Sequence, residues 1–138
     1  MKITQLIIIV CSLAIFTISC GAGKPDAESD LVGGTWELTS LNGTDPLEDH
    51  RPTLEFKVEE VSGNTGCNHY GGSYQIQGDT IRFEDLNNTE MACQDPAGIM
   101  EQEQVYMELL RTANRIELTD GELIIFIDLR PILRFSKE

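Results

Sequence analysis

The feature that most narrows the fold is a beat of short alternating segments separated by two-residue turn signals. Thr35-Trp36-Glu37-Leu38-Thr39 alternates and is followed by Asn42-Gly43. Thr53 to Glu59 alternates strictly, which puts Leu54, Phe56 and Val58 on one face of a strand. A short run from Val61 ends in the glycine-rich stretch Gly63 to Gly72. Tyr74-Gln75-Ile76 and Thr80-Ile81-Arg82-Phe83 flank Gln77-Gly78-Asp79 and read as a hairpin. Arg115 to Leu118 and Glu122 to Asp128 flank Asp120-Gly121. Tight hairpin turns need positive φ, which Asp, Asn and Gly tolerate. Leu123-Ile124-Ile125-Phe126-Ile127 is apolar on both faces, so this strand is expected to be central or covered by a helix. Pro131 starts a last strand with Ile132, Leu133 and Phe135.

One helix interrupts the beat. Asp95 is expected as its N-cap and Pro96 as its first residue. Ile99, Gln102, Tyr106, Leu109, Leu110 and Ala113 then recur at helical spacing, and all but Gln102 are apolar. Glu101, Glu103 and Glu108 fall off that stripe. The expected fold class is α+β: a curved antiparallel sheet or partial barrel of about eight short strands. The amphipathic helix packs on it, covering an opening or one face.

The N-terminus sets the destination. Lys2 is followed by an uncharged stretch from Leu6 to Ile18, the pattern of an export signal. That stretch is shorter than the ~20 apolar residues of a membrane span. Thr17-Ile18-Ser19-Cys20, followed by Gly21, resembles a bacterial lipobox. Cys11 is no rival site, because the bulky Val10 precedes it. The resemblance implies a lipoprotein signal peptide over 1–19, cleavage before Cys20, and acyl chains such as palmitate on that residue. Residues 20–30, small, polar and acidic, read as a flexible tether, and 31–138 as the domain. Gly21 stands where Asp would resemble an inner-membrane retention signal, so the expected address is the outer membrane.

Removing residues 1–19 leaves 119, enough for one core. Lys2 is the only charge removed, so nine Lys+Arg remain against 23 Asp+Glu, a net of −14. Such a surface repels nucleic acid, offers phosphates no basic patch, and keeps a monomer dispersed. Cys67 and Cys93 remain as an even pair in an oxidising compartment, where a disulfide is the default. A closed span of 26 positions contributes about 3 kcal/mol in the chain-entropy model. Were the thiols reduced, Cys67, His69 and Cys93 would be three candidate zinc ligands or a Cys–His nucleophile pair. The other histidine is His50.

No G-x-S-x-G, H-E-x-x-H or P-loop is present in the sequence. The glycines around Cys67 do not open a helix and are expected to serve a tight turn and close backbone packing. Carboxylates gather at Asp45, Glu48 and Asp49 and at Glu84 and Asp85, without calcium-loop spacing. They read as a solvated acidic face. Trp36, Asn68, Tyr70 and Tyr74 are the candidate binding surface, with plain core as the other reading of the aromatics.

Taken together, the segments resemble the META/HslJ-like domain family over residues 31–136. The resemblance rests on Leu31-x-Gly33, Trp36-x-Leu38, Leu41-Asn42-Gly43 and Pro52-x-Leu54-x-Phe56. Its most specific parts are Val61-Ser62-Gly63-Asn64-Thr65-Gly66-Cys67-Asn68 with Tyr70-Gly71-Gly72-x-Tyr74, and Leu86-x-x-Thr89-x-Met91-Ala92-Cys93. It implies a compact α+β domain with a barrel-like sheet, often exported and often on lipoproteins, with some members tied to stress responses. It fixes no molecular activity. The expectation is a non-enzymatic envelope lipoprotein with no cofactor, held to the membrane by its lipid. It would bind an envelope protein partner or support envelope integrity under stress. The alternative is a barrel that binds a small apolar ligand.

Overall fold

The computed structural model describes residues 27–138. The expected signal peptide, Cys20 and the first part of the expected tether lie outside the described residues. Ala27–Leu31, which spans the end of that tether and the first residue of the expected domain, forms a short helix, α1. Eight strands follow: β1 Thr35–Leu41, β2 Thr53–Phe56, β3 Glu60–Asn64, β4 His69–Gln77, β5 Thr80–Asn88, β6 Arg115–Thr119, β7 Glu122–Ile127 and β8 Arg130–Lys137. Helix α2, Ile99–Thr112, lies between β5 and β6.

Each strand pairs antiparallel with its sequence neighbour, and β8 returns to β1, Trp36 opposite Lys137 and Leu41 opposite Leu133. The result is one curved sheet closed into an incomplete barrel. The weak seam is β5–β6, where Thr80 opposite Arg115 is the one register pair. Beyond it, β5 runs on to Asn88 with no strand on that side, and α2 packs against it instead. The helix therefore closes the gap that the sheet leaves.

The alternating sequence delivers the expected faces. Trp36, Leu38, Leu54, Phe56, Leu123, Ile125, Leu133 and Phe135 are almost fully buried. Each such side chain contributes roughly 1.5–3 kcal/mol relative to exposure. β7 is buried over four consecutive residues, as its two-faced apolar run implies. On the outer side, the Arg115 guanidinium lies 4.6 Å from the centre of the Phe126 ring, covering it. The turn signals also hold. Asn42 and Gly43 take φ of 49° and 87°, and Asp120 and Gly121 take 51° and 80°.

Three local expectations are corrected. Val58 does not continue β2; the strand ends at Phe56, and Glu59 turns the chain at φ 61°, leaving Val58 exposed at the hairpin tip. Asp95 and Pro96 do not open α2. The Asp95–Pro96 bond is cis, and Gly98 at φ 90° turns the chain immediately before Ile99, so helical geometry begins only there. Glu103 does not sit off the buried stripe; it is buried with Ile99, Gln102, Tyr106, Met107 and Leu110.

Tyr106 carries α2 into the barrel. Its ring meets Tyr70 edge-on at 5.7 Å and Phe135 at 6.4 Å. The two hydroxyls are 2.7 Å apart, and both reach the Thr53 carbonyl, at 2.8 Å from Tyr70 and 3.2 Å from Tyr106. Gly63 makes this convergence possible: a Cβ there would stand 2.1 Å from the Thr53 carbonyl oxygen and 2.7 Å from the Tyr70 hydroxyl.

Burial pushes both phenols up from their ordinary value, since an ionised ring has no water in that interior. The unfolded chain ionises them near pH 10. Their contribution to stability is thus complete below that pH and is lost as pH climbs toward the folded values. An ultraviolet titration should show Tyr70 and Tyr106 ionising late and together with unfolding. Replacing both, Tyr70→Phe with Tyr106→Phe, should remove their share of the delayed step. Ordinary ionisation of these two in a folded protein would contradict this.

Candidate functional site

The sequence segments that looked most distinctive meet at the end of the barrel opposite α1. The loop after β3 brings Thr65, Cys67 and Asn68; the segment after β5 brings Thr89, Met91 and Cys93; α2 brings Gln102 and Glu103. Cys67 and Cys93 form a disulfide with Cα atoms 6.0 Å apart.

Asn68 is the joint among them, and it is fully buried. Its Oδ1 accepts from the Met91 amide at 2.8 Å and the Thr89 hydroxyl at 2.8 Å. Its Nδ2 donates to the Met91 carbonyl at 3.1 Å and to both Glu103 oxygens, at 3.0 and 2.9 Å. Its backbone amide donates to the Thr65 hydroxyl at 2.9 Å, and that hydroxyl donates to Glu103 Oε2. One carboxamide thus fills its donor and acceptor capacity while linking three separate segments. The buried Glu103 carboxylate is held by these neutral donors, with Asn88 Nδ2 at 3.5 Å.

Gln102 repeats the device one residue earlier. Its Oε1 accepts from the Leu47 amide at 2.7 Å, and its Nε2 donates to the His50 carbonyl at 2.8 Å. This ties α2 to the long β1–β2 loop. Gly66, at φ 99°, leaves no room for a Cβ, which would lie 2.6 Å from the His50 carbonyl oxygen. The glycines beside Cys67 serve turn geometry and close packing.

The candidate binding surface is redistributed. Trp36, Tyr70 and Tyr74 are interior side chains. Trp36 donates to the Leu31 carbonyl at 3.2 Å, and Tyr74 meets Phe56 edge-on at 5.1 Å. Asn68 is consumed by its own network. None of the four offers a side chain to an outside partner. Cys67 and Cys93 are joined to each other, so neither is a thiolate for a metal or a nucleophile in this state. His69 is exposed, and His50 Nδ1 lies 3.3 Å from the Gly66 carbonyl. Asp45, Glu48, Asp49 and Asp85 are exposed and Glu84 half-buried. Among the described residues no group of three His, Cys, Asp or Glu is placed to share a metal ion.

Side chains fill the barrel interior, Trp36, Phe56, Tyr106 and Phe135 being the largest. Concavities among the described residues open to solvent instead. One of about 460 Å³ lies beside α1 and the β6–β7 turn, bordered by Asp30, Leu118 and Lys137. Another of about 450 Å³ is lined by Val32, Gly33, Phe56 and Val58. A third, of about 270 Å³, lies over β2 and β3 between Glu55 and His69.

The architecture defines a small α+β domain: a single curved antiparallel sheet, sealed by one helix and one disulfide. The chain matches the META domain over residues 29–138 and belongs to that family. No curated protein matches it in sequence. Solved structures share the fold. A protein from Burkholderia xenovorans solved by NMR is 24% identical, with a TM-score of 0.62 covering 83% of this chain and 88% of that one. A second NMR structure is 22% identical, with a TM-score of 0.63 and coverage of 78% and 92%. A DUF4847 family protein from Bacteroides vulgatus is 14% identical, with a TM-score of 0.57 and coverage of 80% and 96%.

Sequence reasoning missed Thr65, Thr89 and Glu103. A signal for Glu103 was present: it follows Ile99 by four residues and precedes Tyr106 by three, the spacing of the buried stripe. Asn68→Ala would leave the buried Glu103 carboxylate short of donors, and the Met91 backbone and Thr89 hydroxyl without their protein partner. The expected loss is about 3 kcal/mol of unfolding free energy by denaturant titration. Asn68→Asp should cost more, because it sets a second carboxylate against Glu103. A loss under about 0.5 kcal/mol for both would contradict the assignment of Asn68 as the joint.

Proposed function

We propose that the mature chain is a lipid-anchored domain of the cell envelope, without catalytic activity. It acts by engaging an envelope protein partner or by supporting envelope integrity under stress. The observation that carries the reading is the Cys67–Cys93 disulfide, which suits an oxidising compartment outside the cytoplasm. It agrees with the lipobox-like Thr17-Ile18-Ser19-Cys20, which addresses the chain to that compartment and supplies the anchor. Several acyl chains on Cys20 would hold firmly, at roughly 0.8 kcal/mol per buried CH₂. Gly21 favours the outer membrane. The filled interior favours work on the outer surface over a small apolar ligand held inside the barrel. The acidic surface suits a dispersed monomer and discourages nucleic acid.

Mass spectrometry of the native protein should find an acylated Cys20 as its first residue, and Cys20→Ala should move the protein from membranes to the soluble envelope fraction. Density-gradient fractionation should place the wild type with outer-membrane markers. An unmodified N-terminus at any other residue would overturn the anchor, and co-migration with inner-membrane markers would overturn the address.

A further inference from the structure

The Cys67–Cys93 disulfide joins two unlike places. Cys67 is 7% exposed and sits in a loop fixed on either side of it. The Gly66 amide donates to Asn64 Oδ1 at 2.6 Å, and Asn68 is held by the network described above. Two groups of that network lie against the Cys67 sulfur, Asn68 Nδ2 at 3.5 Å and the Met91 carbonyl oxygen at 3.6 Å. Cys93 is half-buried, in a stretch without regular structure where Met91, Ala92, Gln94 and Asp95 are exposed. Among the described residues, no hydrogen bond or ion pair ties Ala92, Gln94 or Asp95 to the rest of the domain. Asn68 holds the chain as far as Met91, and hydrogen bonding resumes where the Ile99 amide donates to the Pro96 carbonyl. Between those points the cross-link supplies the bond to the body of the domain.

We propose that Cys93 is a thiol-exchange site, the sulfur at which an external thiol forms a reversible mixed disulfide with the folded domain. The thiolate attacks the Cys93 sulfur, the Cys67–Cys93 bond breaks, and its electron pair leaves on Cys67. The products are a mixed disulfide on Cys93 and a Cys67 thiolate, which takes up the proton that the attacking thiol released. Exchange depends on access to the sulfur attacked, and the incoming thiolate must line up with the bond it breaks. Cys93 offers that approach from an exposed stretch, whereas the Cys67 sulfur is shielded by Asn68 and the Met91 carbonyl. The same carbonyl lies where a Cys67 thiol can donate to it. Reversal runs along the same line: Cys67 loses its proton, attacks the Cys93 sulfur and expels the adduct. The domain tolerates the opened state because Asn68, Glu103 and Gln102 hold the loop and the helix without the cross-link. Charge sets the class of thiol. Glu90 and Asp95 flank Cys93 and are exposed, and no Lys or Arg occurs between Arg82 and Arg111. A thiol that carries an ammonium group is therefore favoured over one that carries a carboxylate.

The test takes the full mature protein purified from its host, oxidised and folded, with cysteamine as the probe. Samples are quenched in acid, which freezes exchange, and digested with pepsin at the same pH. Mass spectrometry then reads which cysteine carries the adduct. Adduct on Cys93 should exceed adduct on Cys67 at least tenfold, while circular dichroism shows the domain still folded. Against 3-mercaptopropanoate, with each rate referred to a neutral model disulfide, cysteamine should be at least threefold faster, and salt should narrow the gap. A second comparison treats Cys67→Ala and Cys93→Ala with cystamine. Cys93 in the first should react at least tenfold faster than Cys67 in the second, and denaturant should abolish the difference. Adduct shared equally or favouring Cys67, equal rates in the two folded variants, or exchange that proceeds only in step with global unfolding overturns the proposed site. Equal relative rates for the two small thiols overturn the charge preference.

Discussion

The Asn68 carboxamide is the contact on which the rest of the molecule depends. It joins the β3–β4 loop, the segment after β5 and helix α2, three pieces of chain that share no strand pairing with one another. The disulfide joins the first two of these, and Gln102 ties the helix to the Thr65 carbonyl and to the β1–β2 loop. Burying a carboxylate such as Glu103 is costly unless its oxygens are satisfied, and here the neighbouring amide and hydroxyl groups do so. The arrangement is self-consistent only as a whole. Without Asn68 the carboxylate is stranded, and without Glu103 the carboxamide is short of an acceptor.

This joint matters because the sheet cannot close by itself. A strand edge left bare invites wrong pairing. From Arg82 onward the β5 edge lacks a strand neighbour, and α2 stands in for one. The helix can do so only if its first turns are fixed at the right height. Gln102 and Glu103 fix them at one end, and Tyr106 fixes the middle by joining Tyr70 over the Thr53 carbonyl. Cross-link, polar joint and tyrosine pair therefore serve one purpose, keeping a helix seated in a gap of a barrel.

Much of this was legible in the sequence, and the failures have local causes. Hairpins announce themselves through residues that tolerate positive φ, so Asn42-Gly43 and Asp120-Gly121 were readable and true. Glu59 and Asp85 also take positive φ without a neighbouring glycine to mark them, and the end of β2 was misplaced accordingly. The start of α2 was drawn to Asp95-Pro96, although Gly98 is the residue that turns the chain. The pairing of Cys67 with Cys93 followed from compartment and count. The network around Asn68 did not, because its partners lie up to 35 residues away and a polar residue on a helix reads as solvent-facing until its partner is seen. The aromatics offered as a surface were core, the commoner fate of such residues.

If Asn68, rather than the cross-link, is the principal joint, reduction of the disulfide should free little. Residues 89–91 are held by Asn68 directly, and α2 by Glu103 and Gln102. Amide hydrogen exchange on the folded domain, oxidised and then reduced, tests this most directly. The account predicts that protection persists through α2 and the strands. Loss of protection along the whole of α2 on reduction would contradict it and make the disulfide the element that seats the helix.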